Sequence, residues 1–565
     1  MVWLGLAVPV EAANLFTTES RYTSSQPVST GDFGHALDRD GQWLVVGARF
    51  ETAGTRVQGG AVYVYQRQGN GSFTEYQRLT ASDTNLKAFD HFGASVAISG
   101  DTIVVGAPEY DGSGNNNGRA YVFEFDNSPS CTVQCWGQLQ ALTDAAVSVN
   151  DAFGWSVDID GTTIVIGAVN DEVATTDQGA AYIFNYNGTS WIADPASPIG
   201  PAAGGADPVV RFGIDVAVSG DLVAVGASGD DQASLEAGAV YVFNRVTGWA
   251  QEEKILGQGF LELFGNAVDI DGTTLVAGAP GATVNTQLNA GLVRAYDRPS
   301  GPPWTLAATL LPLLADNLTP DSSAGDLFGS AVAIDLGVTK DHIAVGSYLN
   351  DDGSNDAGAA YLYQDTGSGW GQLAKLNASD AAGSDLFGVS VAVDSDTAII
   401  GAEDKDVAQT ADGAIYSYEL TDTDDDGLSD ALELKICNYP GAPLCTSINL
   451  PDTDGDGTSD FVEIMMSDTD GDGFTNGDEW LIGSDPFDPT DIPADGDVNG
   501  DGNVDAADVL LATRMATGLQ TPTMEERLRG NVAPLNGGIP TPVDTVIGVD
   551  DVLLIQRKAL GAVTF

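Results

Sequence analysis

The sequence predicts a mainly β protein: a seven-bladed β-propeller, then a run of acidic loops, then a small α-helical module. Three observations carry this reading. Phe-Gly recurs at Phe33, Phe92, Phe153, Phe212, Phe264, Phe328 and Phe387, at spacings of 59, 61, 59, 52, 64 and 59 residues. Each copy opens an apolar alternation of period two, the pattern of half-buried strands. After Thr421 the composition shifts: residues 422–565 hold 29 acidic and six basic residues, a net charge of −23, against −36 over the preceding 421.

The elements of each repeat follow in order. A run such as SVAISGDTIVVGA folds back at a Gly-Asp or Asp-Gly pair, which predicts two strands joined by a tight turn. The run ends in Gly-Ala at Gly47, Gly106, Gly167, Gly226, Gly278 and Gly401, and in Gly-Ser at Gly346. A loop rich in Asp, Asn and Gly leads to a third strand reading GAVYVY, GRAYVF, GAAYIF, GAVYVF, GLVRAY, GAAYLY or GAIYSY. The fourth strand often carries Trp, as at Trp136, Trp191, Trp249, Trp304 and Trp370. A lone four-stranded blade cannot bury both faces, so seven are expected to stack around an axis. The seventh repeat stops at Glu419 without a fourth strand, while a segment from Asn14 to Thr30 precedes the first Phe-Gly. That segment is expected to complete the last blade and leave no open sheet edge.

These residues resemble the FG-GAP repeats of integrin α-subunit heads and of bacterial secreted proteins. One departure is visible: the calcium-cage pattern of some family blades is absent between the first two strands, where SGD or DGT stands instead. Asp111, Asp171, Asp230, Asp231, Asp351, Asp352, Asp404 and Asp406 follow the Gly-Ala ends and are expected to gather on one rim. The plain reading makes them solvated turn residues; the other makes them a surface for a glycan or protein ligand or a weak cation.

Charge and termini bound the function. With 81 acidic against 22 basic residues the net charge is −59, which excludes nucleic acid and anionic membrane surfaces as partners. No run of 18 apolar residues predicts a membrane span. Residues 1–13, MVWLGLAVPVEAA, read as a shortened secretory signal without its basic start, the other reading being an apolar strand. Cys131 with Cys135, and Cys437 with Cys445, form two local pairs expected to be disulfides of an extracellular protein. Zinc fits poorly, because His35, His91 and His342 lie near neither pair.

Residues 14–421 are thus assigned to the propeller and 422–491 to calcium loops. In DTDDDGLSDALE, Asp422, Asp424, Asp426, Asp430 and Glu433 stand at loop positions 1, 3, 5, 9 and 12, with Gly427 at the bend and the Leu428 carbonyl at 7. DTDGDGTSDFVE repeats the set with Asp452, Asp454, Asp456, Thr458, Asp460 and Glu463. DTDGDGFTNGDE does so with Asp468, Asp470, Asp472, Phe474, Asn476 and Glu479. The second and third loops begin 16 residues apart, too close for two full helices. They resemble thrombospondin type 3 repeats, in which calcium replaces a hydrophobic core.

Residues 492–565 hold two halves aligned through DVLLATRMATG and DVLLIQRKALG. In the first, Asp497, Asn499, Asp501, Asn503, Asp505 and Asp508 occupy EF-hand-like ligand positions, and an apolar helix follows. This resembles a type I dockerin, which implies docking onto a cohesin-like surface protein, with Arg514, Arg557 and Lys558 as exposed candidates for contact. The second loop departs from the pattern: Asp544 and Asp551 remain, but Asn531, Ala533 and Gly548 stand at other ligand positions. About four Ca2+ sites and a fifth, degenerate one are expected.

No HExxH, GxSxG or phosphate loop occurs, and the three histidines have no visible common site. The expected function is a secreted, calcium-stabilised, non-enzymatic adhesion or binding propeller attached to a partner through its C-terminal module. The alternatives are a polysaccharide-acting hydrolase or lyase, suggested by the company dockerins keep, and a structural cell-surface protein.

Overall fold

In the computed structural model, residues 19–420 are described apart from 54–55, 70, 83–87, 112–115, 126–134, 173–177, 202–209, 300, 314–320, 322, 338–339, 352–354, 366–368 and 408–409; beyond 420, only 509–510, 512–513, 535–536, 539–540 and 555 are. Residues 1–13, Asp352, Cys131, Cys437, Cys445 and all the calcium-loop residues named above lie outside the described residues. So does most of 492–565, including Arg514, Arg557 and Lys558. The chain divides into two compact units, and the larger, Thr18–Leu420, is the propeller.

Seven four-stranded antiparallel sheets make up that unit. Blade 1 runs β2 (Phe33–Asp40), β3 (Trp43–Ala48), β4 (Ala61–Arg67) and β5 (Phe73–Leu79). Blade 2 is β6 (Ser95–Ser99), β7 (Thr102–Ala107), β8 (Arg119–Phe125) and β9 (Trp136–Leu142). Blade 3 is β10 (Phe153–Asp160), β11 (Thr163–Ala168), β12 (Ala180–Tyr186) and β13 (Trp191–Ala193). Blade 4 is β14 (Phe212–Ser219), β15 (Leu222–Ala227), β16 (Ala239–Asn244) and β17 (Ala250–Leu256). Blade 5 is β18 (Val268–Asp271), β19 (Thr274–Ala279), β20 (Leu292–Asp297) and β21 (Thr305–Leu310). Blade 6 is β22 (Ala331–Leu336), β23 (Asp341–Ser347), β24 (Ala359–Asp365) and β25 (Trp370–Leu376). Blade 7 takes β26 (Phe387–Val393), β27 (Thr397–Ala402) and β28 (Ala414–Glu419) from one end of the array and β1 (Glu19–Tyr22) from the other. Glu19 pairs with Tyr418 and Tyr22 with Ile415, so the N-terminal segment does supply the missing strand.

The two recurrent dipeptides are two halves of one inter-blade contact. A Cβ on Gly47 would lie 2.1 Å from the Gly93 carbonyl oxygen of the next blade, and one on Gly401 would lie 2.2 Å from that of Gly34. Only glycine admits this approach, which explains why Gly-Ala and Phe-Gly recur together. Each Phe packs edge-on against the tyrosine of its own third strand, as Phe33 on Tyr63 at 5.4 Å and Phe212 on Tyr241 at 5.2 Å between centroids. Blade 5 has Arg294 at the tyrosine position, and its guanidinium lies 5.2 Å from the Phe264 ring centre.

One regularity was invisible in the sequence. The residue before every Phe is left-handed and never glycine: Asp32, His91, Ala152, Arg211, Leu263, Leu327 and Leu386, with φ between 53° and 58°. Its carbonyl accepts the amide three residues on in all seven blades, from His35 on Asp32 to Val389 on Leu386. The identities share nothing because backbone bonding, not side-chain type, holds the conformation.

Candidate functional site

The strand directions define two faces. First and third strands run away from the Phe-Gly end, second and fourth strands return to it. The upper face therefore carries the loops between second and third strands and the connections from one blade to the next.

On that face Asp231, Asp351 and Asp406 are exposed turn residues, as the plain reading expects, and with Asp111 they also bond to the backbone of their loops. Asp111 Oδ1 accepts the amide of Asn116 at 2.9 Å, Asp231 that of Glu236 at 2.5 Å, Asp351 that of Asp356 at 2.8 Å and Asp406 that of Ala411 at 2.6 Å. Each donor residue is left-handed. The carbonyls of Asn116, Glu236, Asp356 and Ala411 accept amides from the connection entering the next blade, namely those of Ala152, Leu263, Leu386 and Gly31 in turn. The aspartates are staples that zip two loops into one platform.

Asp171 and Asp230 are buried. Asp230 accepts from the Tyr241 hydroxyl at 2.7 Å and from Lys254 Nζ at 2.6 Å. Asp171 accepts from the Tyr182 hydroxyl, and burial pushes its carboxyl up to about 6. Equivalent pairs join Tyr63 to Glu51, Tyr361 to Asp321 and Tyr416 to Asp380. Desolvation makes an unpaired carboxylate costly where it is buried, so a tyrosine accompanies each of these acids, and a cation also stands beside Asp230, Glu51, Asp321 and Asp380. Buried tyrosine hydroxyls and their acids form a polar belt beneath the rim.

Sequence reasoning found no common site for the histidines, yet the structure brings two of them into one cluster. Arg49 donates to Asp32 Oδ2 at 3.0 Å and to His35 Nε2 at 2.9 Å, while His35 Nδ1 lies 2.5 Å from Glu403. Because Arg49 can only donate, His35 Nε2 accepts and Nδ1–H donates to Glu403. Burial, then the charge of Glu403, raises the Asp32 carboxyl to about 7. Burial alone would also raise Glu403, but its bond from His35 and the charge of Arg49 hold it below the usual range. His91 stacks on Phe50, 4.7 Å between ring centres, and faces Glu109 at 3.3 Å. Burial pushes its imidazole pKa down, against the pull of Glu109, and the charge of Arg49 pushes the same way as burial. His342 is buried elsewhere, on β23, its pKa lowered to about 4 by desolvation. No signal in the linear sequence joins His35 to Glu403, which are 368 residues apart.

The first strands surround a central cavity of about 530 Å³. Seven carboxylates on its wall bridge blades: Asp38 accepts the amide of Ile98 at 2.7 Å, Asp158 that of Val218 at 2.5 Å, Asp215 that of Val268 at 2.8 Å and Asp269 that of Ile334 at 2.8 Å, while Asp40, Asp160 and Asp271 accept those of Gly100, Gly220 and Leu336. Burial raises Asp38 and Asp215 to about 7 and Asp269 to about 6, against the lowering effect of their amide donors. Among the described residues no three His, Cys, Asp or Glu side chains converge as metal ligands.

Comparison with known families agrees with this architecture. Residues 73–123, 136–184, 203–243, 316–363 and 370–418 match the FG-GAP repeat, and residues 422–436 and 468–489 match the bacterial TSP3 repeat. The chain carries FG-GAP repeats folded as a seven-bladed propeller, followed by TSP3 repeats. Three of the five matches begin in a fourth strand and end in the third strand of the next blade, as from β5 to β8, so these units straddle a junction. No curated protein matches the chain. A solved structure of similar shape is that of Chaetomium thermophilum Sqt1 bound to the N-terminus of the ribosomal protein L10, with 12% identity, a TM-score of 0.39, and coverage of 70% of this chain and 86% of that one.

Proposed function

We propose that the chain is an extracellular, calcium-stabilised binding protein and not an enzyme, its propeller presenting a ligand-binding upper face. The observation that carries this reading is the joining of an FG-GAP propeller to TSP3 repeats in one chain. The aspartate loops of 422–491, with the ligand residues named above, would form a stalk made rigid by Ca2+, since alternating carboxylates repel until the metal neutralises them. The dockerin-like residues 492–565 would fix the assembly to a cohesin-like surface protein. Local cysteine pairs and a secretory leader fit the same compartment.

Adding EGTA to the purified chain should unfold the region 422–520 while the propeller's β signal persists, and removing calcium should abolish capture by immobilised cohesin-type domains. An unchanged melting profile in EGTA would refute the calcium stalk; capture that ignores calcium would refute the dockerin-like attachment.

A polysaccharide-acting enzyme is the second reading. It is favoured by the opposed pKa shifts of Asp32 and Glu403 around Arg49, since acid and base pairs show that divergence. Saturable cleavage of a polysaccharide panel, abolished by Glu403→Gln, would establish it over the binding role.

A further inference from the structure

The large exposed apolar side chains of the propeller are distributed unevenly. Val57, Phe89, Val149, Trp155, Leu235, Phe260, Leu261, Leu288 and Val407 all stand on the upper face. Among the described residues the lower face has only Val246, and the outer strands have Ile192 and Leu306. Scattered surface apolar residues need no explanation, but nine of twelve on one face do.

Four of them cluster at blades 4 and 5. Leu235, Phe260 and Leu288 are 52%, 63% and 67% exposed. The Leu261 amide donates to the Leu235 carbonyl at 2.9 Å, and that of Gly325 to the Leu288 carbonyl at 3.0 Å, so the ridge rests on the zipped loops. A rigid apolar ridge loses little entropy when covered.

Exposed charge on the same face is mostly acidic. Glu172, Asp231, Asp351 and Asp406 are exposed, whereas Arg56, Arg119 and Arg211 are only half-exposed and no lysine or arginine of the upper face is fully exposed among the described residues. An acidic surface with apolar crests complements a partner of opposite charge carrying apolar side chains, and repels a second copy of a chain with a net charge of −59.

We infer that the upper face at blades 4 and 5 is a docking surface for a cationic protein segment in which Lys or Arg alternates with large apolar residues. This rests on the binding-protein reading and names its partner class.

The test uses the full chain in calcium and two labelled synthetic peptides, one alternating Lys with Leu and Trp, the other with Glu in place of Lys, followed by fluorescence anisotropy. The cationic peptide should bind and the acidic one should not. The triple variant Leu235→Ser, Phe260→Ser, Leu261→Ser should weaken binding by about tenfold or more. The control triple Ile192→Ser, Val246→Ser, Leu306→Ser should leave it unchanged, with both variants first shown to melt like the wild type. Equal responses to the two triples, or binding lost entirely in 0.5 M salt, would overturn the inference by reducing it to unspecific attraction. Dimerisation in sedimentation abolished by the upper-face triple would also overturn it, in favour of a second copy. Binding of a glycan array with no peptide binding would overturn the partner class while leaving the binding-protein reading intact.

Discussion

At the junction of blades 1 and 2, blade 1 contributes Trp43, Val45, Val62, Val64 and Leu79, with Ala81 just beyond β5, to a shared apolar cluster; at the junction of blades 7 and 1, blade 7 contributes fewer, Ala392, Ile399 and Ile415 with the half-buried Tyr22. The second junction is joined by ions instead. Arg39 pairs with Asp394 and Asp396, Arg67 with Asp396, and both Arg49 and His35 with Glu403. Among the described residues a single ion pair, Arg298 with Glu252, joins neighbouring sheets elsewhere in the ring. Continuous chain holds blades 1 and 2 close, so apolar packing suffices there. The ends of the array have no such tether and must find each other across the whole ring, at a greater loop-closure cost. Directional, charge-selective contacts suit that task, because they reward one register of the closing blade.

The largest test of this contrast is Arg39→Ala. The Arg39 side chain is 2% exposed, and losing it leaves Asp394 without its arginine and Asp396 with Arg67 alone. Urea unfolding should show a loss of about 2–3 kcal/mol, the low side for a buried pair because both aspartates are partly exposed. The double variant Arg39→Met, Asp394→Leu should recover much of it, since a packed apolar pair can replace a buried ionic one. A loss below about 0.5 kcal/mol for Arg39→Ala would erase the distinction between the two kinds of junction.

The cavity wall sharpens the comparison through pH. Asp38 and Asp215 are raised to about 7 and Asp269 to about 6 from an ordinary value of 3.8. A raised carboxyl stabilises the fold fully below its unfolded pKa and loses that contribution as pH climbs through the folded one. Melting in constant calcium should therefore occur several degrees higher at pH 5 than at pH 8. Asp215→Asn should lower the melting point overall yet narrow that difference; a wild type more stable at pH 8 would contradict it.

The smallest effect belongs to the outer edge of the closing blade. Arg21 pairs with Asp380, both well exposed, and Arg21→Ala should cost under about 1 kcal/mol in the same urea titration. A larger loss would move the weight of ring closure from the axis to the rim.

Much of the fold was legible because its constraints fall on residue type. Phe-Gly and Gly-Ala mark backbone approaches that only glycine admits, and the unpaired seventh repeat announced that β1 would close the ring. What stayed hidden falls on geometry instead. The left-handed position before each Phe accepts Asp32, Leu263 or Arg211 alike. The rim acids could be counted, but only the folded loops show that Asp231 staples Glu236 while Asp230 sinks onto Tyr241. The Arg49 cluster joins residues from opposite ends of the array, beyond any local pattern.

The zipping of neighbouring loops has an evolutionary corollary. In six of the seven blades the described upper loop is tied at a left-handed residue near its end, and the connection it meets is tied just before Phe. Between these anchors the chain can lengthen without moving a strand, and the repeat spacings already range from 52 to 64 residues. Specificity can therefore change by insertion at the rim while the ring is inherited intact, which makes the upper face the part of this molecule most open to innovation.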